Sequence, residues 1–201
     1  MTGSPVCRDS QLSLLSLYLG LEDGESRAAE SLVVQGVEGT GKTLTLTHLL
    51  AQHKPSVTSA FVDCIEAYQP KLLYQSIIDQ LGLADDMDVK CDNVSDFIRI
   101  IGERVRGKAV IVLENAERLR EDISLLSVMT RLQEVTKCNI STILETRLDW
   151  SKLRPPGDLL SPSKYNHQDA VRYLMISFST DPFRSVQSGG TDEASGRLPR
   201  E

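Results

Sequence analysis

The chain has few aromatic residues and no paired cysteines. Phe, Trp and Tyr make up 5% of its 201 residues, whereas hydrophobic residues make up 40%. Aliphatic side chains must therefore fill any core. The four cysteines, Cys7, Cys64, Cys91 and Cys138, lack the C-x-x-C spacing of zinc and redox motifs. Cysteines scattered in this way are typical of reduced thiols in the cytosol or nucleus.

The chain also lacks a long apolar run and an excess of positive charge. No stretch reaches the roughly 18 apolar residues of a membrane-spanning helix, and no N-terminal signal peptide is evident. We therefore expect an intracellular chain that does not contact membranes. The net charge is −6, and the 22 Lys and Arg residues are dispersed. Domains that bind nucleic acid strongly by themselves usually have a basic face, so direct DNA binding by this chain alone should be weak.

A glycine-rich motif is the most informative feature that is present. Residues 36–43 fit the phosphate-binding pattern G-x-x-x-x-G-K-[ST]. An apolar, β-branched run precedes the motif at 31–35, and a helical pattern follows it at 44–52. Because the pattern requires a strand before it and a helix after it, this context favours a genuine nucleotide site over a chance match. The predicted cofactor-binding residues are Gly36, Val37, Glu38, Gly39, Thr40, Gly41, Lys42 and Thr43.

The residue types of this motif predict its chemistry. Gly36, Gly39 and Gly41 are expected to adopt backbone angles that other residues avoid. The loop N–H groups then form an anion-binding nest beside the positive end of the helix. Lys42 is expected to contact the β- and γ-phosphates of ATP, and Thr43 to coordinate Mg²⁺.

Strands and helices alternate along most of the chain. Apolar runs predict strands at 31–35, 59–64, 109–113 and 139–144, and helical spacing predicts helices at 7–20, 44–52, 69–81, 94–105 and 123–135. Such alternation is typical of α/β proteins with a parallel sheet covered by helices on both faces. We therefore predict a P-loop NTPase fold.

The alternation becomes unclear after Trp150. Prolines and glycine follow at 155–162, and no fifth strand is evident. Residues 168–176 have helical spacing, although 171–178 is apolar enough to pair as a substitute strand. We predict a nucleotide-binding domain at 1–157 with its core at 31–150. Residues 158–178 would be a remnant of the domain end or lid, and 179–201 a disordered tail.

Acidic residues after the third predicted strand form a second candidate site. In P-loop ATPases this strand commonly ends in one residue that holds Mg²⁺ and another that polarises the attacking water. Glu114 has the first position, so Thr43 and Glu114 are the candidate metal ligands. Asn115 has the second position, and a carboxamide cannot act as a general base. Glu117 is a candidate replacement, although both glutamates could simply be solvated ends of secondary structure.

Two more candidates follow the fourth predicted strand. Thr146 could contact the γ-phosphate or the attacking water, or it could belong to an ordinary polar loop. Arg154 precedes two prolines that restrict its backbone. It could act as an arginine finger on the nucleotide of a neighbouring subunit, or be a solvated loop arginine.

Together these residues resemble the AAA+ ATPase family, and within it the subunits of the eukaryotic origin recognition complex. The P-loop is shared by many ATPases, so the more specific resemblance is carried by other stretches. These are 7–11 before a Leu-rich helix, 61–66 with 71–73, 96–99, 111–120 and 150–155.

The resemblance implies ATP with Mg²⁺ as a structural element at a subunit interface, with little hydrolysis. It also implies other origin recognition complex subunits as partners, DNA contact through that complex, and a nuclear role in replication initiation. The family usually has Asp where this chain has Glu114, and its fifth strand, lid and winged-helix region have no evident counterpart after residue 157. Two alternatives remain: an active AAA+ ATPase of another assembly, and a truncated, non-enzymatic interaction protein.

Overall fold

A five-stranded parallel sheet forms the centre of the protein. The computed structural model describes residues 8–21, 28–54, 56–84, 91–148 and 173–178. The strands are β1 Ser31–Gly36, β2 Val57–Asp63, β3 Lys108–Glu114, β4 Ile140–Thr146 and β5 Tyr173–Phe178. Their order in the sheet is β2-β3-β4-β1-β5, and all neighbouring pairs are parallel. The prediction of a parallel α/β sheet is confirmed.

Helices cover both faces of the sheet. They are α1 Asp9–Tyr18, α2 Lys42–Gln52, α3 Pro70–Gln80, α4 Val94–Arg104, α5 Ile123–Thr130 and α6 Leu132–Thr136, with a short 3-10 helix at Ala116–Glu121. Local sequence explains several helix starts: Pro70 is in the first turn of α3, Asn93 caps α4 through the Asp96 N–H, and Asp122 caps α5 through the Leu125 N–H. The helix predicted at 123–135 is interrupted at Arg131.

Two apolar clusters fill the space between sheet and helices. On one face, Val33 and Ile111 pack with α3 to α6, including Ile77 and Phe97. On the other face, strand residues such as Leu32 pack with α1 and α2. Consecutive β1 residues thus contribute to opposite clusters, which explains why a central parallel strand is continuously apolar.

A complete fifth strand, β5, is present, so the prediction that this strand is incomplete is wrong. Residues 173–178 pair with β1 from Ser31–Tyr173 through Gly36–Phe178. The helix expected at 168–176 is therefore wrong over 173–176, and the substitute pairing considered for 171–178 is present over 173–178. Short apolar runs fit either structure by spacing alone. Here the strand is favoured, because without it one side of β1 would be unpaired and its backbone groups would lack hydrogen bonds.

Several expectations concern residues outside the described part of the chain. They include Arg154, the lid remnant before residue 173 and the tail at 179–201. The proposed domain limits also remain predictions. In the described ranges, no helix is long and apolar enough to cross a membrane.

Gly36 has a different role from the one predicted. Gly39 and Gly41 have positive φ angles of 78° and 81°, but Gly36 does not. A Cβ atom on Gly36 would instead lie 2.4 Å from the Phe178 carbonyl oxygen and 2.8 Å from the Phe178 Cβ. Glycine is required here because β1 and β5 approach too closely for a side chain.

Gly36→Ala should therefore destabilise the protein by about 1–3 kcal/mol, the usual range for forcing atoms into a packed region. Gly102→Ala is the matched control, because Gly102 lies within α4 and its added Cβ would be 3.8 Å from the Thr136 carbonyl oxygen, an ordinary van der Waals distance. Alanine should be neutral there or stabilise the helix by up to about 1 kcal/mol. Urea unfolding measures both variants. Equal stability of the two would contradict the close β1–β5 approach.

Candidate functional site

The phosphate-binding motif connects the end of β1 to the start of α2. Gly41 is the N-cap of α2 in the left-handed region, with φ 81° and ψ 20°. The Thr40 hydroxyl donates a hydrogen bond to the Val37 carbonyl at 2.8 Å and so closes the loop on itself. The free N–H groups of the first turn of α2 and the positive helix end give this loop the character of an anion site.

Lys42 is buried within the loop and is only 6% exposed. Its Nζ donates hydrogen bonds to the carbonyl oxygens of Gly36 at 2.9 Å and Val37 at 3.1 Å. The ammonium group is therefore held at the mouth of the loop. A phosphate group would provide a charged acceptor there in place of neutral carbonyls, and charge-assisted hydrogen bonds are the stronger kind.

Glu145 is a site residue that the sequence analysis did not identify. It lies at the end of β4 and is 7% exposed. The Thr43 hydroxyl lies 2.8 Å from Oε1 and 2.9 Å from Oε2 of Glu145, and Lys42 Nζ lies 3.9 Å from Oε1. Burial raises the pKa of Glu145, and the Thr43 hydrogen bond and the Lys42 charge act in the opposite direction.

Glu114 lies at the end of the next strand in the sheet. The β3–β4 register pairs Leu113 with Leu144, so Glu114 follows beside Glu145, and Asp63 pairs with Glu114 on the other side. Burial raises the pKa of Glu114, and the negative charges of Glu145 and Asp63 raise it further. Carboxylates thus converge at the carboxyl ends of three adjacent parallel strands, near Thr43.

Asn115 is turned toward β2. It has a left-handed backbone with φ 51° and ψ 40°, and its Nδ2 donates a hydrogen bond to Asp63 Oδ1 at 2.9 Å. The same Asp63 oxygen accepts the Ile65 N–H at 2.8 Å. Asn115 therefore anchors the turn after β3 to the end of β2.

Glu117 is part of an ion pair and is therefore not free to act as a base. Its Oε1 accepts a hydrogen bond from Arg147 Nε at 2.8 Å, and the Glu117 side chain is 9% exposed. Burial alone would raise the pKa of Glu117, but the hydrogen bonds that its carboxylate receives, from the Arg147 side chain first and also from Thr146 and backbone N–H groups, together lower it. Arg147 Nη1 also lies 3.5 Å from Glu38 of the P-loop. The pair thus links the segment after β3 to the phosphate loop, and a carboxylate held in this way is a weak base.

Thr146 is buried, and its hydroxyl stabilises the turn that follows β4. It is 1% exposed, and its hydroxyl oxygen accepts the Leu148 N–H at 3.0 Å. A hydrogen bond between the Thr146 and Glu117 side chains also helps to lower the pKa of Glu117. Contact of Thr146 with a phosphate or water remains a prediction.

Arg8 and Phe178 are two further residues that the sequence analysis did not place in the site. Arg8 Nη2 donates a hydrogen bond to the Thr40 carbonyl at 2.8 Å. The Arg8 guanidinium also lies 5.1 Å from the centre of the Phe178 ring, within the range of cation–π attraction. The segment before α1, the phosphate loop and β5 are therefore held together at one point.

The site brings most of the predicted residues together. Lys42, Thr43 and Glu114 converge at the carboxyl edge of the sheet, whereas Asn115 and Glu117 are engaged by Asp63 and Arg147. A signal for Glu145 was available in the sequence, because the ends of adjacent parallel strands meet at one edge. Arg8 and Phe178 had no comparable signal, since their role depends on how β5 pairs.

The residues fit a nucleotide-borne magnesium ion better than a metal held by protein alone. Among the described residues, no three His, Cys, Asp or Glu side chains are placed to hold a metal ion. Mg²⁺ in nucleotide sites is typically bound by one or two protein ligands, substrate phosphates and water. Glu145 contacts Thr43 and its charge acts on Glu114, so Thr43 and Glu114 are the residues that would provide such a limited ligand set.

A cavity of about 610 Å³ lies at the opposite edge of the sheet, near the starts of β2, β3 and β4. Its lining includes Arg106, Lys108 and Lys137, which follow the ends of α4 and α6. Cations near helix C-termini offset the negative end of the helix dipole. Because the phosphate loop follows the carboxyl end of β1 and the cavity lies at the opposite edge of the sheet, the two sites are distinct.

Comparison with known proteins identifies the class of this domain. The family model described as "AAA ATPase domain" matches residues 4–143. The chain belongs to this family, and the predicted AAA+ relationship is confirmed.

The resemblance to origin recognition complex subunits is confirmed as well. The chain is 30% identical to origin recognition complex subunit 5 of Drosophila melanogaster and of Homo sapiens, over 86% and 78% of its own length. It spans 40% and 38% of those relatives. A chain in the structure of Drosophila ORC bound to DNA superposes with a TM-score of 0.71 at 27% identity, over 87% of this chain and 43% of that one.

The Glu117–Arg147 pair generates a prediction about pH. Arg147→Ala leaves a largely buried carboxylate without the side chain that donates its shortest hydrogen bond, so the variant should have a lower unfolding free energy than wild type at pH 7. Because the folded-state pKa of Glu117 is lowered, the pair's contribution is present above the unfolded pKa and disappears as pH falls through the folded pKa. The difference between wild type and Arg147→Ala should therefore shrink on acidification.

Urea unfolding between pH 7 and pH 3 measures this difference. Arg99→Ala provides the control, since Arg99 pairs with Glu103 on the exposed surface of α4. Exposed pairs contribute at most about 1 kcal/mol. A stability loss in Arg147→Ala that is constant with pH would contradict the role assigned to the pair.

Proposed function

We propose that this chain is an ATP-binding AAA+ domain of an origin recognition complex subunit. Its nucleotide would act mainly as a structural element at a subunit interface, with little hydrolysis. The observation that carries the proposal is the phosphate loop itself: Gly39 and Gly41 have positive φ angles, and Lys42 is held at the loop mouth. The origin recognition complex relatives support the biological assignment.

The side chains of the site would divide the contacts to ATP. The loop N–H groups and Lys42 would bind the phosphates, and Thr43 with Glu114 would hold Mg²⁺. The metal ion would neutralise phosphate charge when bound. Arg8 would keep the loop in place through the Thr40 carbonyl, to which it donates a 2.8 Å hydrogen bond.

Little hydrolysis is proposed because no free base occupies the expected position. Asn115 lacks a proton-accepting carboxylate and is hydrogen-bonded to Asp63. Glu117 is paired with Arg147. The alternative of an active ATPase would require another base, either from Glu117 after loss of that pair or from a partner subunit.

The proposed setting is the nucleus, in replication initiation. Other origin recognition complex subunits would be the partners, and DNA would be contacted through the complex. The similarity to a chain in the structure of Drosophila ORC bound to DNA supports this setting. The net charge of −6 supports DNA contact that is shared with partners rather than made by this chain alone.

Lys42→Ala tests nucleotide binding. The variant loses a charge-assisted phosphate contact of about 1.5–3 kcal/mol, so ATP affinity should fall roughly tenfold or more. Calorimetric titration with Mg²⁺ and ATP measures the change, and Lys54→Ala is a control for loss of one positive charge on an exposed lysine. Equal ATP affinity in wild type and both variants would favour the alternative that the chain is a truncated, non-enzymatic interaction protein.

Turnover tests the proposed absence of efficient hydrolysis. General-base assistance typically contributes about 10²–10⁴-fold, so phosphate release by the wild type should be far slower than the ordinary enzyme rate of about 10 s⁻¹. A phosphate-release assay on protein that binds ATP measures this. A rate on the order of 1 s⁻¹ that Lys42→Ala abolishes would support the active-ATPase alternative.

A further inference from the structure

Glu145 engages both side chains that the proposed ATP site needs. Its carboxylate accepts the Thr43 hydroxyl at 2.8 and 2.9 Å, and it lies 3.9 Å from Lys42 Nζ. Thr43 is the expected metal ligand and Lys42 the expected phosphate ligand. A single buried carboxylate is thus in direct contact with the hydroxyl and close to the ammonium group.

The position of Glu145 is set by the fold rather than by a mobile loop. All seven residues of β4 are buried, and Glu145 pairs in register with Val34 of β1. Its neighbours Glu114 and Asp63 are acidic, and the structure places the Thr43 hydroxyl and the Lys42 ammonium group beside its carboxylate. Its negative charge therefore remains beside the phosphate loop.

This charge has opposite effects on ATP and on a metal ion. Phosphates arriving without a cation would be repelled by Glu145, which also competes with them for Lys42. A divalent cation arriving with the phosphates would be attracted by the same carboxylate and would offset its charge. Charges separated by a few ångströms in a partly buried site interact strongly, because screening by water is reduced.

We propose that Glu145 makes nucleotide binding dependent on Mg²⁺: it disfavours metal-free ATP and favours the magnesium complex. It does so through its contact with Thr43 and its proximity to Lys42. The inference rests on the proposed ATP site and adds a residue that sets which form of the nucleotide the site accepts.

The test compares ATP affinity in Mg²⁺ with affinity in EDTA by calorimetric titration. The measured quantity is the dissociation constant in EDTA divided by the dissociation constant in Mg²⁺. Glu145→Gln keeps the size of the side chain and an oxygen acceptor for Thr43 but removes the charge. Its ratio should be at least about tenfold smaller than that of wild type, chiefly because binding in EDTA improves.

Two variants serve as controls. Glu145→Asp retains the charge and should retain most of the metal dependence. Glu103→Gln removes one negative charge from the exposed surface of α4 and should leave the ratio unchanged. If Glu145→Gln does not melt cooperatively, Glu145→Met takes its place as an uncharged side chain of similar length.

The outcomes separate this inference from the proposed function. An unchanged ratio in the uncharged variant, or equal wild-type affinity with and without Mg²⁺, would overturn the role of Glu145 while leaving ATP binding intact. A wild type that binds no ATP under either condition would overturn both. A smaller ratio in Glu103→Gln as well would mean that overall charge, rather than Glu145, controls metal dependence.

Discussion

The pairing of β1 on both sides is the constraint on which the site depends. β4 lies along one side of β1 and β5 along the other, so the phosphate loop leaves the sheet between Glu145 and Phe178. Glu145 thereby reaches Thr43, and Phe178 reaches Arg8. A sheet without β5 would lose the wall against which Gly36 packs. The loop is therefore positioned by long-range strand pairing as well as by its own glycines.

Charge is distributed unequally around the loop. Asp63, Glu114 and Glu145 meet at the ends of three adjacent strands, and burial with mutual repulsion raises the pKa of both glutamates. Glu117 differs because Arg147 compensates its charge and lowers its pKa. Three carboxylates that face only one nearby ammonium group, Lys42 beside Glu145, suit a site that takes up a cation together with phosphates. The compensated carboxylate suits a structural link to the loop.

Local patterns were sufficient to predict four strands, most helices and the phosphate loop. The continuously apolar β1 and β3 indicated a parallel sheet, and the motif at 36–43 carried its own strand–helix context. Residues 173–178 could not be assigned in the same way, since a short apolar run fits a helix or a strand until its partner is known. The same long-range pairing explains why Gly36 was given the wrong role. Glu145 could have been found by comparing strand ends, but its contact with Thr43 depends on the register of β4 with β1.

The residues expected to bind phosphate and those expected to activate water have different surroundings in this domain. The residues expected to bind phosphate and its metal ion are in place: Lys42 is buried at the start of α2, and Thr43 follows it in the first turn. The residues that would activate water have other partners, because Asn115 binds Asp63 and Glu117 binds Arg147. Each of these contacts fixes a turn after a strand, so restoring a catalytic base would first require breaking a structural contact. The contacts that fix these turns thus also occupy the groups that hydrolysis would need.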